Sequence, residues 1–194
     1  MKLKSFLLFL PFFFVGTDAL AQVGYTHIEL QGGYELFPDM SKKSGGNLNF
    51  GVRYAFSERY FMATIMHCGI NNGSYEGQYA GEATNLKHTM REYMLGVGPG
   101  IYLYNGGDQW IYADVLVGYG FGEELKSSDS AAVERVLEEE LHTHVVDGLA
   151  TAVQIGIERQ TKSGWIIGIN TGGFLVGGKI RPTVCLKCGA LFSI

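Results

Sequence analysis

Six charged side chains occur at alternate positions within segments of apolar residues and glycine, so that all of them can face the inside of one closed sheet. They are Glu29, Arg53, Glu92, Asp114, Glu158 and Lys187. Charges that are taken out of water persist only when they are paired. The set therefore fits a charge-paired plug that fills the interior, which is the interpretation we favour. The alternative is a gated ion path or a proton relay.

Histidines form a second group whose chemistry has to be considered. His142 and His144 lie on one face if their segment is extended, and His67 and His88 fall near the same end of their segments. Four imidazoles at one opening could bind zinc or copper. No carboxylate or cysteine sits at a recognised ligand spacing, so we predict ordinary polar residues at a wet rim, with no metal and no other cofactor.

The cysteines and serines do not form a recognisable catalytic site. Cys185 and Cys188 are three residues apart in a predicted strand, so they point to opposite faces about 10 Å apart, beyond the reach of a disulfide. Serine catalysis needs a base within hydrogen-bond reach of the nucleophile, and no closely spaced His/Ser pair lies on the apolar face. We predict no enzyme. A lipid acyl hydrolase or acyltransferase is the enzymatic alternative.

The elements that must position these residues are β-strands, because the dominant hydrophobic period along the chain is two. Eight strands are predicted near residues 27–36, 47–56, 60–70, 92–103, 110–122, 148–158, 165–170 and 184–194, with the facing of the third uncertain. Long connections near 37–46, 71–87, 123–144 and 176–182 alternate with short ones near 57–59, 105–109 and 160–163. In a closed barrel the first and last strands are neighbours, so Glu29 and Lys187 should approach each other.

Glycines recur on the inner face of the fourth and fifth strands. They are Gly96, Gly98, Gly100, Gly118, Gly120 and Gly122. A tight turn at Asn105-Gly106-Gly107 makes these strands neighbours, so the six glycines should form a smooth patch of low volume on the inner wall. Pro99 interrupts the pattern and predicts a local distortion of one continuous strand. Whether a loop, large side chains or water lies beside the patch bears directly on function.

Three features favour a barrel that turns its apolar face to lipid. The inner face carries glycine, alanine and charges, which suits the narrow interior of an eight-stranded barrel. Long and short connections alternate, as in membrane barrels. Aromatic residues form two belts near the strand ends. They are Phe56, Tyr60, Trp110, Trp165 and Phe192 by the short turns, and Tyr34, Tyr119, Phe121 and Phe174 toward the long loops. A soluble exported barrel is the alternative.

The start of the chain predicts export. Residues 1–21 combine two lysines, an apolar run of about ten residues and Ala19-Leu20-Ala21, which together read as a signal peptide cleaved after Ala21. Residues 22–194 then form one barrel domain. A formal net charge of −4 offers no basic field for nucleic acid.

The connection 123–144 contains apolar residues at helical spacing among glutamates. This pattern predicts a short acidic amphipathic helix, either lying over the barrel mouth or contacting an extracellular protein or substratum.

The chain resembles the small eight-stranded outer-membrane barrels, the OmpA/OmpX-like and "porin family" β-barrel domains. The resemblance covers residues 22–194 and is carried by "IELQGGYEL", "NFGVRYAF", "GVGPGIYLY", "VLVGYGFG" and "LKCGALFSI". It implies an antiparallel up-and-down transmembrane barrel in the bacterial outer membrane, surrounded by its lipid and inserted by the barrel assembly machinery. The chain ends Phe192-Ser193-Ile194, whereas such proteins commonly end on an aromatic residue. A weaker similarity is to barrel proteins encoded with conjugative transfer systems.

These observations predict a structural or cell-surface interaction role carried by the extracellular loops. The alternatives are a small pore for ions or solutes, a lipid-modifying enzyme of the outer membrane, and an accessory protein of a conjugative transfer system.

Overall fold

The computed structural model describes residues 23–79, 82–128 and 144–193. The predicted fold class is confirmed: eight antiparallel strands close into one barrel, in which each strand pairs with its neighbours in the chain and the first pairs with the last. The strands are β1 (Tyr25–Leu36), β2 (Ser44–Ala55), β3 (Tyr60–Tyr79), β4 (Glu82–Asn105), β5 (Gln109–Ser128), β6 (His144–Gln160), β7 (Trp165–Val176) and β8 (Lys179–Ser193). None of the residues described here belongs to a helix long and apolar enough to cross a membrane.

Two of the predicted long connections are wrong. Residues 71–87 belong largely to strands, since β3 and β4 pair continuously from Asn71 with Met90 to Tyr79 with Glu82. The connection near 176–182 is a two-residue turn at Gly177 and Gly178, both with positive φ. The polar Asn, Gly and Ser residues of these segments suggested loops, but a two-stranded ribbon in water needs no apolar face to complete its backbone hydrogen bonds.

The long connection predicted at 123–144 begins later than predicted, whereas the residues predicted to form its helix lie outside the described part of the chain. Residues 123–128 continue β5 as a strand and pair with β4 and, in part, β6. Residues 129–143 lie outside the described part of the chain, as do residues 1–22, which contain the predicted signal peptide 1–21, and the terminal Ile194.

The predicted facing of the strands agrees with the structure. Apolar side chains such as Leu30, Leu95 and Leu186 are more than half exposed on the outer wall, whereas the alternate residues are buried inside. The third strand, left open by the sequence, turns Met62 and Met66 outward and Phe61 and Ile65 inward.

Two aromatic residues assigned to the outer belts instead lie in the interior. Trp110 and Phe174 are each about 1% exposed. The indole Nε1 of Trp110 donates a hydrogen bond to Asn105 Oδ1 at 3.0 Å, and the ring of Phe174 stacks on His67 with 3.8 Å between ring centroids. Both residues lie at alternate positions whose side chains point inward. Alternation along the strand therefore predicted the direction of these side chains better than proximity to a strand end did.

Pro99 lies within a continuous β4, as predicted. It faces outward, pairs with Met62 of β3, and falls where the ladder to β5 has no bridge between Val97 and Gly100. The missing N–H of proline therefore coincides with a local gap in one ladder and leaves the strand's facing unchanged.

Candidate functional site

The middle of the lumen holds four charged side chains, Glu29, Arg53, Glu158 and Lys187, which we call the central ion cluster. Arg53 Nη2 lies 2.8 Å from Glu29 Oε2 and 2.6 Å from Glu158 Oε2. Lys187 Nζ lies 2.8 Å from the same Glu29 oxygen and 2.6 Å from the same Glu158 oxygen. All four side chains are at most 5% exposed. Two cations and two anions thus form a closed square with no net formal charge.

Aromatic rings surround the cluster on one side. The guanidinium carbon of Arg53 lies 4.4 Å from the ring centre of Tyr112, and Lys187 Nζ lies 4.3 Å from it. Lys187 also donates a hydrogen bond to the Tyr112 hydroxyl at 2.9 Å. Cations that have lost their water shell are stabilised by the faces of such rings, so Tyr112 helps to hold both cations of the cluster in position.

Below the cluster, at the short-turn end, the lumen is filled largely by aromatic and aliphatic side chains, with His27 and Gln109 buried among them. Phe61, Tyr102, Tyr112, Trp110 and Ile166 belong to one buried core with small alanines between them. This end also carries both chain ends of the described barrel, in β1 and β8.

Above the cluster, a layer of amides continues the filling. Gln31 Nε2 donates to Glu29 Oε1 at 2.7 Å, and Gln31 Oε1 accepts hydrogen bonds from Asn170 at 2.8 Å and Asn49 at 3.3 Å. Asn49 Oδ1 in turn lies 2.7 Å from His67 Nδ1. The polar groups of successive strands are therefore bonded to one another across the lumen.

The residues 37–43 between β1 and β2, which we call the cap loop, close the opposite end. Asp39 forms ion pairs with Arg181 and, at 2.6 Å, with Lys179. Arg181 also lies 2.7 Å from Glu92 Oε1 and is fully buried. Phe37 is buried beneath the Arg181 guanidinium, 4.8 Å from its ring centre. The loop is thus attached to the barrel wall by charge and by apolar packing.

The six predicted lumen residues therefore fall into three groups. Glu29, Arg53, Glu158 and Lys187 meet in the central ion cluster. Glu92 lies higher and pairs with Arg181. Asp114 is buried, but within the described residues it makes no ion pair and its Oδ1 has no hydrogen-bond partner.

The glycine patch is covered by neighbouring side chains and backbone. A methyl group on Gly100 would overlap the ring of Phe61, which lies directly over it, and one on Gly96 would meet Met94 Cε at 2.6 Å. At Gly98 and Gly118 a methyl group would overlap the carbonyl oxygens of the neighbouring strand. Gly120 and Gly122 face Ala150 Cβ at 2.8 Å and Met90 Cε at 3.3 Å. The side chains of Met94, Phe61 and Met90 therefore occupy the space beside Gly96, Gly100 and Gly122.

The histidines are engaged in separate contacts. His67 Nε2 lies 3.4 Å from Glu35 Oε1, and His88 Nε2 lies 2.7 Å from Glu124 Oε1. The side chains of His142 and His144 lie outside the described set. Within the described residues no group of three or more His, Cys, Asp or Glu side chains could hold a metal ion.

Several residues that line the lumen were not predicted from the sequence. Gln31, Asn49 and Asn170 were left out because they carry no charge, although they share the inward parity of Glu29, Arg53 and Gly168. Arg181 was left out because its segment was assigned to a loop. Its alternation with Thr183, Cys185 and Lys187 was the available signal.

A ribbon formed by residues 71–79 of β3 and 82–90 of β4 projects beyond the barrel. β5 pairs with it as far as Ser128, opposite Leu86, so within the described residues only 76–79 and 82–85 are two-stranded. The β2–β3 ladder ends at Gly46 and Ile70, whereas the β3–β4 ladder continues for about nine more pairs, roughly 30 Å at 3.3 Å per residue. β3 and β4 contain 20 and 24 residues, against 12 in β1. The ribbon leaves the barrel at the end covered by the cap loop.

Comparisons with known proteins show similarity in structure alone. No family model matches the chain, and no curated protein matches it. The outer-membrane protein OprG of Pseudomonas aeruginosa superposes with a TM-score of 0.61 at 10% identity, covering 92% of this chain and 100% of that one.

Two further solved barrels are similar. Ail, the attachment invasion locus protein of Yersinia pestis, solved in complex with the heparin analogue sucrose octasulfate, gives 0.57 at 14% identity, with 88% of this chain and 100% of that one covered. Neisserial surface protein A gives 0.54 at 10% identity, with 88% and 96% covered. At identities this low, the superpositions establish a common architecture and no closer relationship. The chain has the fold of the small eight-stranded outer-membrane β-barrels.

Proposed function

We propose that this protein is a non-enzymatic barrel of the bacterial outer membrane with a closed lumen, and that it binds an extracellular protein through its ribbon. The observation that carries this proposal is the ribbon itself, whose β3–β4 ladder continues roughly 30 Å past the end of the β2–β3 ladder on a filled and capped scaffold. Rigid barrels commonly carry their function on the elements that protrude from them.

Residence in a membrane is supported by the outer wall. Leu149, Leu186, Leu95 and Met66 are 58–74% exposed, and similar apolar side chains surround the barrel. A soluble monomer rarely exposes a continuous apolar patch larger than about 300–600 Å². A lipid environment removes this cost, and closure of the barrel satisfies every strand edge within it.

A pore is disfavoured by the filling of the lumen. The central ion cluster, the amide layer and the cap loop follow one another along the axis. At the upper end, the cavity beside Glu92 and Glu124 measures only about 10 Å³, which is about the space of a single water molecule. An ion would have to displace bonded side chains at several levels.

A protein partner is favoured by the free edge of the ribbon. Beyond Ile70, no strand of the described chain pairs with the outer edge of β3. Such an edge can accept an added strand from another chain. Ail, with the same fold, was solved with a sulfated sugar analogue, so a polyanionic glycan is the competing class of surface ligand.

The test is truncation of the ribbon. Replacing residues 75–86 with Asn-Gly joins Ser74 to Lys87, which already face each other across the ladder. The barrel should still show heat-modifiable migration in gels, whereas cells displaying the truncated chain should no longer be retained on immobilised extracellular-matrix protein. Lys162→Ala, in the turn at the opposite end, is the matched control. Undiminished retention by a folded truncated barrel would contradict the proposal, and inhibition by free heparin would favour the glycan.

A further inference from the structure

His67 and Glu35 lie against each other in the upper lumen, the part between the central ion cluster and the cap loop, and both side chains are fully buried. Glu35 stands at the end of β1, and its carboxylate reaches past β2 to β3, where a methyl group on Gly69 would lie 2.6 Å from Glu35 Oε2. His67 Nε2 lies 3.4 Å from Glu35 Oε1. Neither carboxylate oxygen has a hydrogen-bond partner among the residues that the structure describes.

The amide layer determines which ring nitrogen of His67 donates a hydrogen bond. The ion-paired carboxylate of Glu29 can only accept, so Gln31 turns its Nε2 toward that carboxylate at 2.7 Å and its Oε1 toward Asn49 Nδ2 at 3.3 Å. The remaining amide atom, Asn49 Oδ1, therefore faces His67 Nδ1 at 2.7 Å. Because a carbonyl oxygen only accepts hydrogen bonds, Nδ1 must carry the hydrogen.

The second ring nitrogen then decides the charge of the pair. In a neutral ring with its hydrogen on Nδ1, Nε2 is an acceptor, and it would face another acceptor, the carboxylate of Glu35, at 3.4 Å. A proton on Nε2 removes this repulsion and makes the contact an ion pair between imidazolium and carboxylate. The ring of Phe174 favours the same state, since it stacks on His67 with 3.8 Å between ring centroids and an aromatic face attracts a desolvated cation.

The balance of charge in the upper lumen also requires this proton. The other charged or titratable side chains here come from the cap loop, β4, β5 and β8, and they pair with one another. The pairs are Asp39 with Lys179, Glu92 with Arg181, and Glu124 with His88. The thiol of Cys185 donates to Asn47 Oδ1 at 3.1 Å. In the described part of the chain no lysine or arginine forms an ion pair with Glu35, whose one ion-pair contact is His67. Because a buried carboxylate without a counterion is costly, His67 has to supply the positive charge.

We propose that His67 and Glu35 form a proton-binding site in the upper lumen, in which His67 carries a proton on both ring nitrogens at about pH 7. The bound proton gives Glu35 its counterion and joins β1 to β3 across the intervening β2. Release of the proton would leave a buried carboxylate facing the lone pair of Nε2, so the link between the two strands exists only while the proton is bound. The site lies inside the barrel and is independent of protein binding at the ribbon.

Nitrogen-15 NMR of the full chain, labelled at histidine and held in detergent micelles, tests the proposal, because the shifts of the two ring nitrogens distinguish an imidazolium from either neutral tautomer. His67→Gln identifies the His67 signals by their loss, and variants of the other four histidines identify them by elimination if that variant does not fold. At about pH 7, both nitrogens of His67 should have the shifts of protonated nitrogens. In Glu35→Gln the ring should be neutral, with its hydrogen on Nδ1. Glu124→Gln, which removes a carboxylate beside a different histidine, should leave the His67 signals unchanged.

Urea unfolding in phospholipid vesicles separates the loss of charge from the loss of packing. His67→Gln should lower the urea midpoint because Glu35 is left buried without a counterion, and adding Glu35→Gln should recover part of that loss. A neutral His67 ring in the native chain, or an imidazolium that persists in Glu35→Gln, would overturn the proposal. A double variant no more stable than His67→Gln would overturn it as well.

Discussion

Replacement of Arg53 by methionine tests whether the central ion cluster holds the barrel together. Arg53 Nη2 contacts both Glu29 and Glu158, at 2.8 and 2.6 Å, in a site where all the partners are buried. The substitution leaves two buried carboxylates facing Lys187 alone. Removal of one partner from a buried ion pair costs about 3–5 kcal/mol because an uncompensated charge stays behind. We expect a loss of that size in the free energy of unfolding.

The matched control is Arg159→Met. Arg159 also contacts a carboxylate, Asp108 at 3.0 Å, but its side chain is 37% exposed. Exposed pairs contribute about 0–1 kcal/mol. Urea unfolding in phospholipid vesicles, followed by tryptophan fluorescence, measures the free energy of unfolding of both variants.

A double variant tests the origin of the effect. Adding Glu158→Gln to Arg53→Met removes one of the two stranded carboxylates, so it should restore part of the lost stability. If the free energies of unfolding of Arg53→Met and Arg159→Met agree within about 1 kcal/mol, the reasoning is refuted. It is also refuted if the double variant is less stable than the summed effects of Arg53→Met and Glu158→Gln predict.

The remaining predictions concern the strand contacts and the cap. Gly118→Ala should impair barrel folding, since its methyl group would overlap the Leu95 carbonyl oxygen, whereas Gly122→Ala should be tolerated; heat-modifiable migration distinguishes them. Asp39→Asn should weaken attachment of the cap loop to Arg181 and increase amide exchange in residues 37–43, while exchange in the strands stays unchanged. Burial alone would raise the pKa of Asp39, but hydrogen bonds led by that from Arg181 outweigh it and hold the pKa below its usual 3.8. This stabilisation is complete above about pH 4 and is lost as the pH falls further. The amide exchange of the cap loop in the native protein, corrected for intrinsic rates, should therefore be the same at about pH 5 and about pH 8. A faster exchange at one of these pH values would contradict the ion pairing assigned to Asp39.

Alternation was sufficient to predict the barrel and the direction of most side chains. The inward position of Glu29 and the outward position of Leu30 both follow from a period of two, and the closure of the barrel brings Lys187 to Glu29. The chain order of the strands and their pairing also follow, because short hairpins join neighbours.

Strand ends could not be predicted in the same way. The ribbon has polar residues on both faces, so its sequence lacks the apolar–polar alternation that identifies a half-buried strand. Only the hydrogen-bonded pairing of its backbone in the structure identifies it as two strands. The partners of Arg181 were equally inaccessible, since Asp39 is 142 residues away in sequence and reaches it only when the cap loop folds inward. Phe61, which lies over Gly100 of the glycine patch, comes from the strand whose facing the sequence left open.

Single-channel recording of the full chain in planar bilayers tests the sealed lumen most directly. Because the ion cluster, the amide layer and the cap loop fill successive levels, we predict no steady conductance in the native protein. Incorporation should be verified independently by protease protection of the reconstituted barrel. Steady, sizeable conductance from verified barrels would contradict the account and would establish a pore.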